Sequence, residues 1–228
     1  MVAWLIFTIP PLLFGLYAQQ KVKSTFEKYS AVRPQNGMSG ADAAAAVLRS
    51  SGLPGLSIEP VEGQLTDHYD PRSKTLRLSA DVGATSSVAA LGVAAHEAGH
   101  AIQDANGYLP MRVRQSLVPL AQIGGSVWIF PVMGGLIMGL QSSLSITLFW
   151  AGIALFGAIV LFQLVTLPVE FDASKRALAA LEQQGLLAPS EVPGAQAVLN
   201  AAALTYVAAF VSALGQLLYF VSLALARR

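Results

Sequence analysis

Two histidines four residues apart, His96 and His100, stand in the stretch AAHEAGHAIQ, with Glu97 directly after the first. On a helix, residues i and i+4 share a face, so both imidazoles can aim at one point. Glu97 lies about 100° further round the helix, where a carboxylate can hold a water molecule. This H-E-x-x-H pattern is typical of a hydrolytic metal site, and the alternative interpretation is a coincidence on a surface helix.

A catalytic zinc site usually has three protein ligands and one open position, so a third ligand is needed. The chain contains no cysteine, and the ligand must therefore be His, Asp or Glu. His68 is the third histidine of the chain, and Glu170 is the first charged residue after the neutral stretch 115–169. These residues alone leave the choice between His68 and an acid open.

The histidine pair requires a helix, and the local sequence predicts one. The stretch TSSVAALGVAAHEAGHAIQDANG begins with capping residues between Thr85 and Ser87 and ends with the helix-stopping pair Asn106 and Gly107. Gly99 carries no side chain, so a neighbouring segment can approach the helix closely there. We therefore expect a packed helix.

A second helix and a strand are predicted upstream. The stretch SGADAAAAVLRSSG starts at Ser39, a capping residue, and Asp42 follows three residues later as the acid of a capping box. Further along, KTLRLS alternates polar and apolar residues as a strand does. These elements indicate a small α+β segment.

Much of the remaining chain is apolar. Charged residues make up 12% of the chain and hydrophobic residues 54%, whereas soluble proteins have about 25% charged residues. No charged residue or histidine occurs in 115–169 or in 200–226. Apolar runs longer than about 18 residues predict membrane-spanning helices. We expect an integral membrane protein with spans at 2–18, 117–140, 144–167 and 203–226.

Four stretches of the sequence resemble the YugP-type family of membrane zinc metallopeptidases. They are LTDHYDPRSKTLRLS, VAAHEAGHAIQ, FQLVTLPVEFDASKRAL and VLNAAALTYVAA, and the resemblance runs nearly end to end. The resemblance implies a gluzincin-like site with one Zn²⁺ per chain, in which His96, His100 and Glu170 are the ligands and Glu97 is the general base. More distantly, the chain is similar to HtpX-like and CAAX-prenyl membrane proteases.

Those distant relatives usually carry an acid four residues beyond the ligand glutamate, where it orients a zinc histidine. In this chain Ser174 stands at that position. Asp172 lies about 200° round the helix from Glu170, so it cannot take the same direct role. The orienting group is therefore predicted to be the Ser174 hydroxyl or another acid.

The implied mechanism is hydrolysis by a zinc-activated water molecule, whose pKa the metal lowers towards about 7. Glu97 would take a proton from this water and give it to the leaving amine. His68 and Tyr206 are the candidates for a donor to the oxyanion. Each has a structural alternative, since His68 fits a loop and Tyr206 fits packing between helices.

The predicted fold class is a mainly α membrane protein with about four transmembrane helices and a small α+β zincin-like domain that contains the H-E-x-x-H helix. The predicted organisation is a transmembrane anchor at 1–18, the zincin-like domain at 19–116, a transmembrane hairpin at 117–167, a polar segment with the third zinc ligand at 168–202, and a C-terminal transmembrane helix at 203–228.

The predicted function is a zinc endopeptidase that hydrolyses membrane-proximal or misfolded protein segments. One alternative is a catalytically silent scaffold with structural zinc, although such a closed site does not need the base Glu97. The other is a metal transporter, but spans two to four contain no charged residue to line a path. No basic cluster indicates nucleic acid. The predicted partners are a polypeptide substrate and the lipid bilayer.

The charges also predict an orientation in a bacterial inner membrane. Segments 19–116 and 168–202 together hold twelve of the fourteen Lys and Arg residues. Positively charged segments favour the cytoplasmic side, so we expect the active site to face the cytoplasm.

Substrate binding is predicted at the strand that precedes the helix with His96 and His100. In related zincins an edge strand binds the peptide as one more strand, through main-chain hydrogen bonds. The candidate strand consists of Lys74, Thr75, Leu76, Arg77, Leu78 and Ser79. The alternative interpretation is a strand that serves only as scaffold.

Overall fold

The computed structural model describes residues 2–226, which form a mainly helical fold with one small sheet, as predicted. The helices are α1 (Val2–Ser30), α2 (Gly40–Ser50), α3 (Ala80–Gly83), α4 (Val88–Ala105), α5 (Leu109–Val127), α6 (Ile129–Ile137), α7 (Ser143–Gln183) and α8 (Val192–Leu225). The strands are β1 (Ser57–Val61), β2 (His68–Asp70) and β3 (Thr75–Ser79).

Three helical stretches within residues 2–226 are long and apolar enough to cross a membrane. They are Leu109–Ile137, which α5 and α6 form together, Ser143–Gln183 and Val192–Leu225. Membrane-capable helices are thereby confirmed for the second to fourth predicted spans. The first predicted span lies in α1, which continues through Pro10 and Pro11, and its crossing of a membrane stays a prediction. Arg227 and Arg228, at the end of the fourth span, lie outside the described residues.

The helix α7 is continuous through Pro168. A proline removes a single N–H donor, and the hydrogen bonds before and after it can still hold an apolar helix together. Glu170 therefore lies on the same 41-residue helix as the third predicted span.

The described chain divides into two compact units. The apolar unit comprises residues 2–17, 112–167 and 206–226, and the site unit comprises residues 18–111 and 168–205. In the apolar unit, α6 packs closely on α7 because a Cβ atom on Gly135 would lie 2.6 Å from the Ser145 carbonyl oxygen. Val132 and Phe149 are buried beside this contact.

The sheet of the site unit has the strand order β1-β3-β2, in which β3 runs parallel to β1 and antiparallel to β2. The predicted strand is thus confirmed as β3 over Thr75–Ser79, whereas Lys74 lies in the preceding turn, and the prediction that it is an edge strand is wrong. It pairs with β1 along its whole length and with β2 over Thr75, Leu76 and Arg77, so it lies between two strands and offers a peptide no complete free edge. The segment therefore serves as the centre of the sheet.

The predicted caps of α2 and α4 are present. The Ser39 hydroxyl accepts a hydrogen bond from the Asp42 amide, and the Asp42 carboxylate accepts one from the Ser39 amide, both at 3.2 Å. Ser87 caps α4 through a 3.1 Å bond from the Ala90 amide. Capping bonds satisfy the otherwise unpaired amides of a first helical turn, so the capping residues determine where these two helices begin.

The helix α4 is the buried centre of the site unit, and glycines allow its neighbours to come close. A Cβ atom on Gly99 would lie 2.7 Å from the Ala173 carbonyl oxygen of α7, which confirms the close approach predicted at this residue. A Cβ atom on Gly92 would meet Ala195 of α8 at 3.4 Å. The contact at Gly99 is the one that brings α7 against the histidine-bearing face of α4.

Candidate metal centre

His96, His100 and Glu170 meet in the interior of the site unit. The Nε2 atom of His96 lies 3.2 Å from Oε2 of Glu170, and the Nε2 atom of His100 lies 3.4 Å from the same oxygen. One ligand atom from each residue lies within 4.8 Å of the other two. Two imidazole nitrogens and one carboxylate oxygen are the protein ligands of many catalytic zinc sites, so this donor set fits a metal ion.

The helical register explains why these three side chains converge. His96, Gly99 and His100 lie on one face of α4, because residues three and four apart are neighbours on a helix. Glu170 and Ala173 share a face of α7 for the same reason. Since Gly99 touches Ala173, the two faces meet at the glycine, and the Glu170 carboxylate reaches the histidines from the opposite helix.

The second ring nitrogen of each histidine has its own partner. Nδ1 of His96 lies 3.1 Å from the Ser174 hydroxyl, and Nδ1 of His100 lies 3.0 Å from Oε1 of Gln103. If Nδ1 donates its proton to these oxygens, the Nε2 lone pairs remain for a metal. The Ser174 hydroxyl thus lies beside His96, at a position where an orienting group was predicted from the sequence.

Sequence reasoning missed Gln103. Its side chain is fully buried, and its Nε2 atom donates to the Val169 carbonyl and to the Asp172 carboxylate, both at 2.8 Å. Because its NH₂ group is used in this way, Oε1 is the atom that faces His100 as an acceptor. Asp172 therefore reaches the histidine only through Gln103. The available signal was a glutamine three residues after His100 on the same helical face.

Removal of the Gln103 side-chain amide should weaken zinc binding. In Gln103→Leu, Nδ1 of His100 loses its acceptor and the ring is no longer held in the ligand orientation, so we expect zinc affinity to fall by about tenfold to a hundredfold. Competition with a fluorescent zinc chelator measures this change. Gln184→Leu, which removes an exposed amide bonded to the Ser50 hydroxyl, is the control, and equal affinity in both variants would contradict the orienting role.

Charge in the site also suits a cation. Burial by itself lowers the pKa of His100, but its hydrogen bond to Glu170 and the charges of Glu170 and Glu97 act more strongly together and raise it. An arriving metal ion replaces such a proton, because only a neutral imidazole can be a ligand.

Glu97 lies on α4 next to the triad of His96, His100 and Glu170 and is not a member of it. Its side chain is buried, and its Oε2 atom accepts a 3.1 Å hydrogen bond from the Tyr69 amide of β2. Burial raises the pKa of the Glu97 carboxyl, and the charges of His96 and His100 act in the opposite direction. A carboxyl group with a raised pKa beside three side chains that could hold a metal ion can accept and return a proton.

His68 and Tyr206 lie outside the triad. His68 is exposed on β2, and its Nδ1 atom lies 2.8 Å from the Thr66 carbonyl oxygen. Because a carbonyl only accepts, Nδ1 carries the proton, and Nε2 can donate only when the ring is charged. Tyr206 lies on α8 in the apolar unit. Their oxyanion roles stay predictions, and Glu170 rather than His68 completes the triad.

Comparison with known proteins agrees with this chemistry. A family model described as "Putative neutral zinc metallopeptidase" matches residues 4–225. The "Putative membrane protease YugP" of Bacillus subtilis (strain 168) is 43% identical over 218 residues, which are 96% of this chain and 95% of that protein. No solved structure matches the chain. The resemblance inferred from four stretches of the sequence is thereby confirmed.

Proposed function

Since this chain belongs to the family described as "Putative neutral zinc metallopeptidase", we propose that it is a membrane-embedded zinc endopeptidase. The observation that carries the proposal is the buried triad of His96, His100 and Glu170 beside the carboxylate of Glu97. These residue types supply both parts that metal-assisted hydrolysis needs, namely a cation site and a proton acceptor.

Each residue then has a role. His96, His100 and Glu170 would hold one Zn²⁺ per chain, which when bound lowers the pKa of a water molecule and polarises the scissile carbonyl. Glu97 would take the proton of the attacking water and deliver it to the leaving amine. Gln103 and Ser174 would keep the two imidazoles in their ligand orientation.

The number of ligands favours an enzyme over the alternatives. Structural zinc sites are usually closed by four protein ligands, whereas the metal-capable group found among residues 2–226 has three members. Three ligands leave one position for water or substrate. Metal transport is disfavoured on a separate ground, because the predicted spans 117–140, 144–167 and 203–226 contain no charged residue that could line a path.

We propose that the substrates are extended or locally unfolded polypeptide segments near the membrane. His96, Glu97 and His100 are each 7% to 8% exposed, so a folded domain could not present its backbone to them. An unfolded segment can enter a narrow site without the free-energy cost of first unfolding a domain. Membrane-proximal and misfolded segments meet both conditions.

The test of the proposal is zinc-dependent hydrolysis. Detergent-purified protein should cleave an unstructured peptide, lose this activity when a chelator removes zinc, and regain it when zinc is added back, because the three ligands alone cannot activate water. Mass spectrometry of the products measures cleavage. Activity that persists in protein shown by metal analysis to be zinc-free would refute the proposed function.

We further propose that the site unit faces the cytoplasm of a bacterial inner membrane, as its positive charges favour. The cysteine-free chain allows a direct measurement. A membrane-impermeant maleimide should label Ser73→Cys, in the turn between β2 and β3, only after the cells are permeabilised. Gln141→Cys, between α6 and α7, is the matched position and should be labelled in intact cells. The reverse pattern would invert the orientation.

A further inference from the structure

Tyr69 forms two hydrogen bonds to α4, one through its main-chain amide and one through its phenol. Its main-chain amide donates to Oε2 of Glu97 at 3.1 Å, and its phenol donates to Oδ2 of Asp104 at 2.7 Å. Glu97 and Asp104 are seven residues apart, which is close to two helical turns, so they lie on one face of α4. The tyrosine therefore lies along this face and joins β2 to the helix at two points.

Both bonds lie in a sheltered environment. Tyr69 is 9% exposed and the Asp104 side chain 12%. Burial and the charged Asp104 carboxylate raise the pKa of the Tyr69 phenol well above its ordinary value, so the hydroxyl remains a donor. Hydrogen bonds to a carboxylate are stronger than neutral ones when water is excluded. Lys74 also bonds Asp104, but its side chain is 63% exposed and competes with water.

The strand β2 needs such an attachment. It has only three residues and pairs with β3 alone, and short edge strands open easily. The Tyr69 phenol bond to Asp104 ties the middle residue of this strand to α4. Because the amide and the phenol belong to one residue, the phenol bond also restrains the amide that holds Glu97.

We propose that Tyr69 is a positioning residue for Glu97. The bond between its phenol and Asp104 holds its amide against Oε2 of Glu97, which leaves Oε1 free to receive the proton of the attacking water. The proposal rests on the proposed function, since it assigns to Tyr69 the orientation of the general base. A proton acceptor must lie within hydrogen-bond distance of the proton that it takes, so its orientation should affect kcat rather than substrate binding.

The first test compares two variants that each lose one phenol hydroxyl. Tyr69→Phe keeps the ring but loses the bond to Asp104, whereas Tyr29→Phe loses a hydroxyl from a ring that packs on Gly194 in the same unit. We expect kcat per zinc-loaded molecule to fall about tenfold in Tyr69→Phe, with KM changed less than about twofold. Zinc content should be unchanged, and Tyr29→Phe should match the wild type in every measurement.

A rescue separates positioning from general loss of stability. Asp104→Asn keeps an oxygen that can accept the Tyr69 phenol proton, whereas Asp104→Leu does not. We expect Asp104→Asn to retain most of the wild-type kcat and Asp104→Leu to resemble Tyr69→Phe. The double variant Tyr69→Phe/Asp104→Leu should be no slower than either single variant, because both remove the same bond.

Hydrogen–deuterium exchange of the metal-free protein supplies a readout that does not depend on activity. The amides of β2 should exchange faster in Tyr69→Phe than in the wild type or in Tyr29→Phe, while those of α4 should not change. Wild-type kcat in zinc-loaded Tyr69→Phe, or unchanged exchange of β2, would overturn the proposal. Failure of the proposed function would give a different result, because the wild type itself would then cleave no peptide. The role of Tyr69 would be refuted in that case as well.

Discussion

Glu97→Gln is expected to bind zinc like the wild type while its kcat falls about a thousandfold, the middle of the range for loss of a general base. The amide keeps the size of the carboxylate and can still accept the Tyr69 amide hydrogen bond, but it cannot take a proton from water. The three side chains that could hold the metal ion are untouched. Metal analysis together with peptide cleavage by the same preparation measures both quantities.

Glu182→Gln, on the exposed face of α7, is the matched control for Glu97→Gln, and it should retain wild-type activity and zinc. Two results would contradict the assignment. Full activity in Glu97→Gln would mean that another group accepts the proton, and loss of zinc would make Glu97 a ligand. A wild type that binds zinc but cleaves no peptide, even with Glu97 intact, would favour the silent scaffold.

His96→Ala, His100→Ala and Glu170→Ala should each lower zinc affinity by about a hundredfold to a thousandfold, which is one ligand's share of a typical zinc-binding free energy. Each variant leaves only two protein ligands where a catalytic zinc site usually has three, and a water molecule in the vacated space has neither the charge of the carboxylate nor the basicity of the imidazole. Titration with a competing chelator measures the three affinities.

His68→Ala is the control, because it removes the third histidine of the chain without touching the triad. It should keep wild-type zinc affinity. If Glu170→Ala retained zinc and His68→Ala lost it, the third ligand would be His68, the alternative that the residue types alone left open.

The starts of α2 and α4 and the end of α4 could be predicted because their signals are local. The capping box at Ser39 and Asp42, the Ser87 cap and the stop at Gly107 each depend on residues within one turn of the helix end. The apolar stretches that predict membrane helices are contiguous as well.

The cluster of His96, His100 and Glu170, which could hold a metal ion, was predicted from two sources. The H-E-x-x-H spacing places His96 and His100 on one helical face. The separation of Glu170 from them, 70 residues or more along the chain, carries no such geometric information, and its assignment came from the resemblance to a known family. The structure adds the physical cause, which is the contact of Gly99 with Ala173.

The helix starts, the apolar stretches and the histidine pair could be read from the sequence, because each depends on residues close together in the chain. Only the folded structure showed that β3 is central, since its parallel partner β1 lies 18 residues earlier in the chain, beyond β2, and contains Pro60. It also decided that Gln103 faces His100 and that Tyr69 joins Glu97 to Asp104. These contacts depend on how helices and strands pack, and the free energy of packing comes from surfaces that only the folded chain brings together.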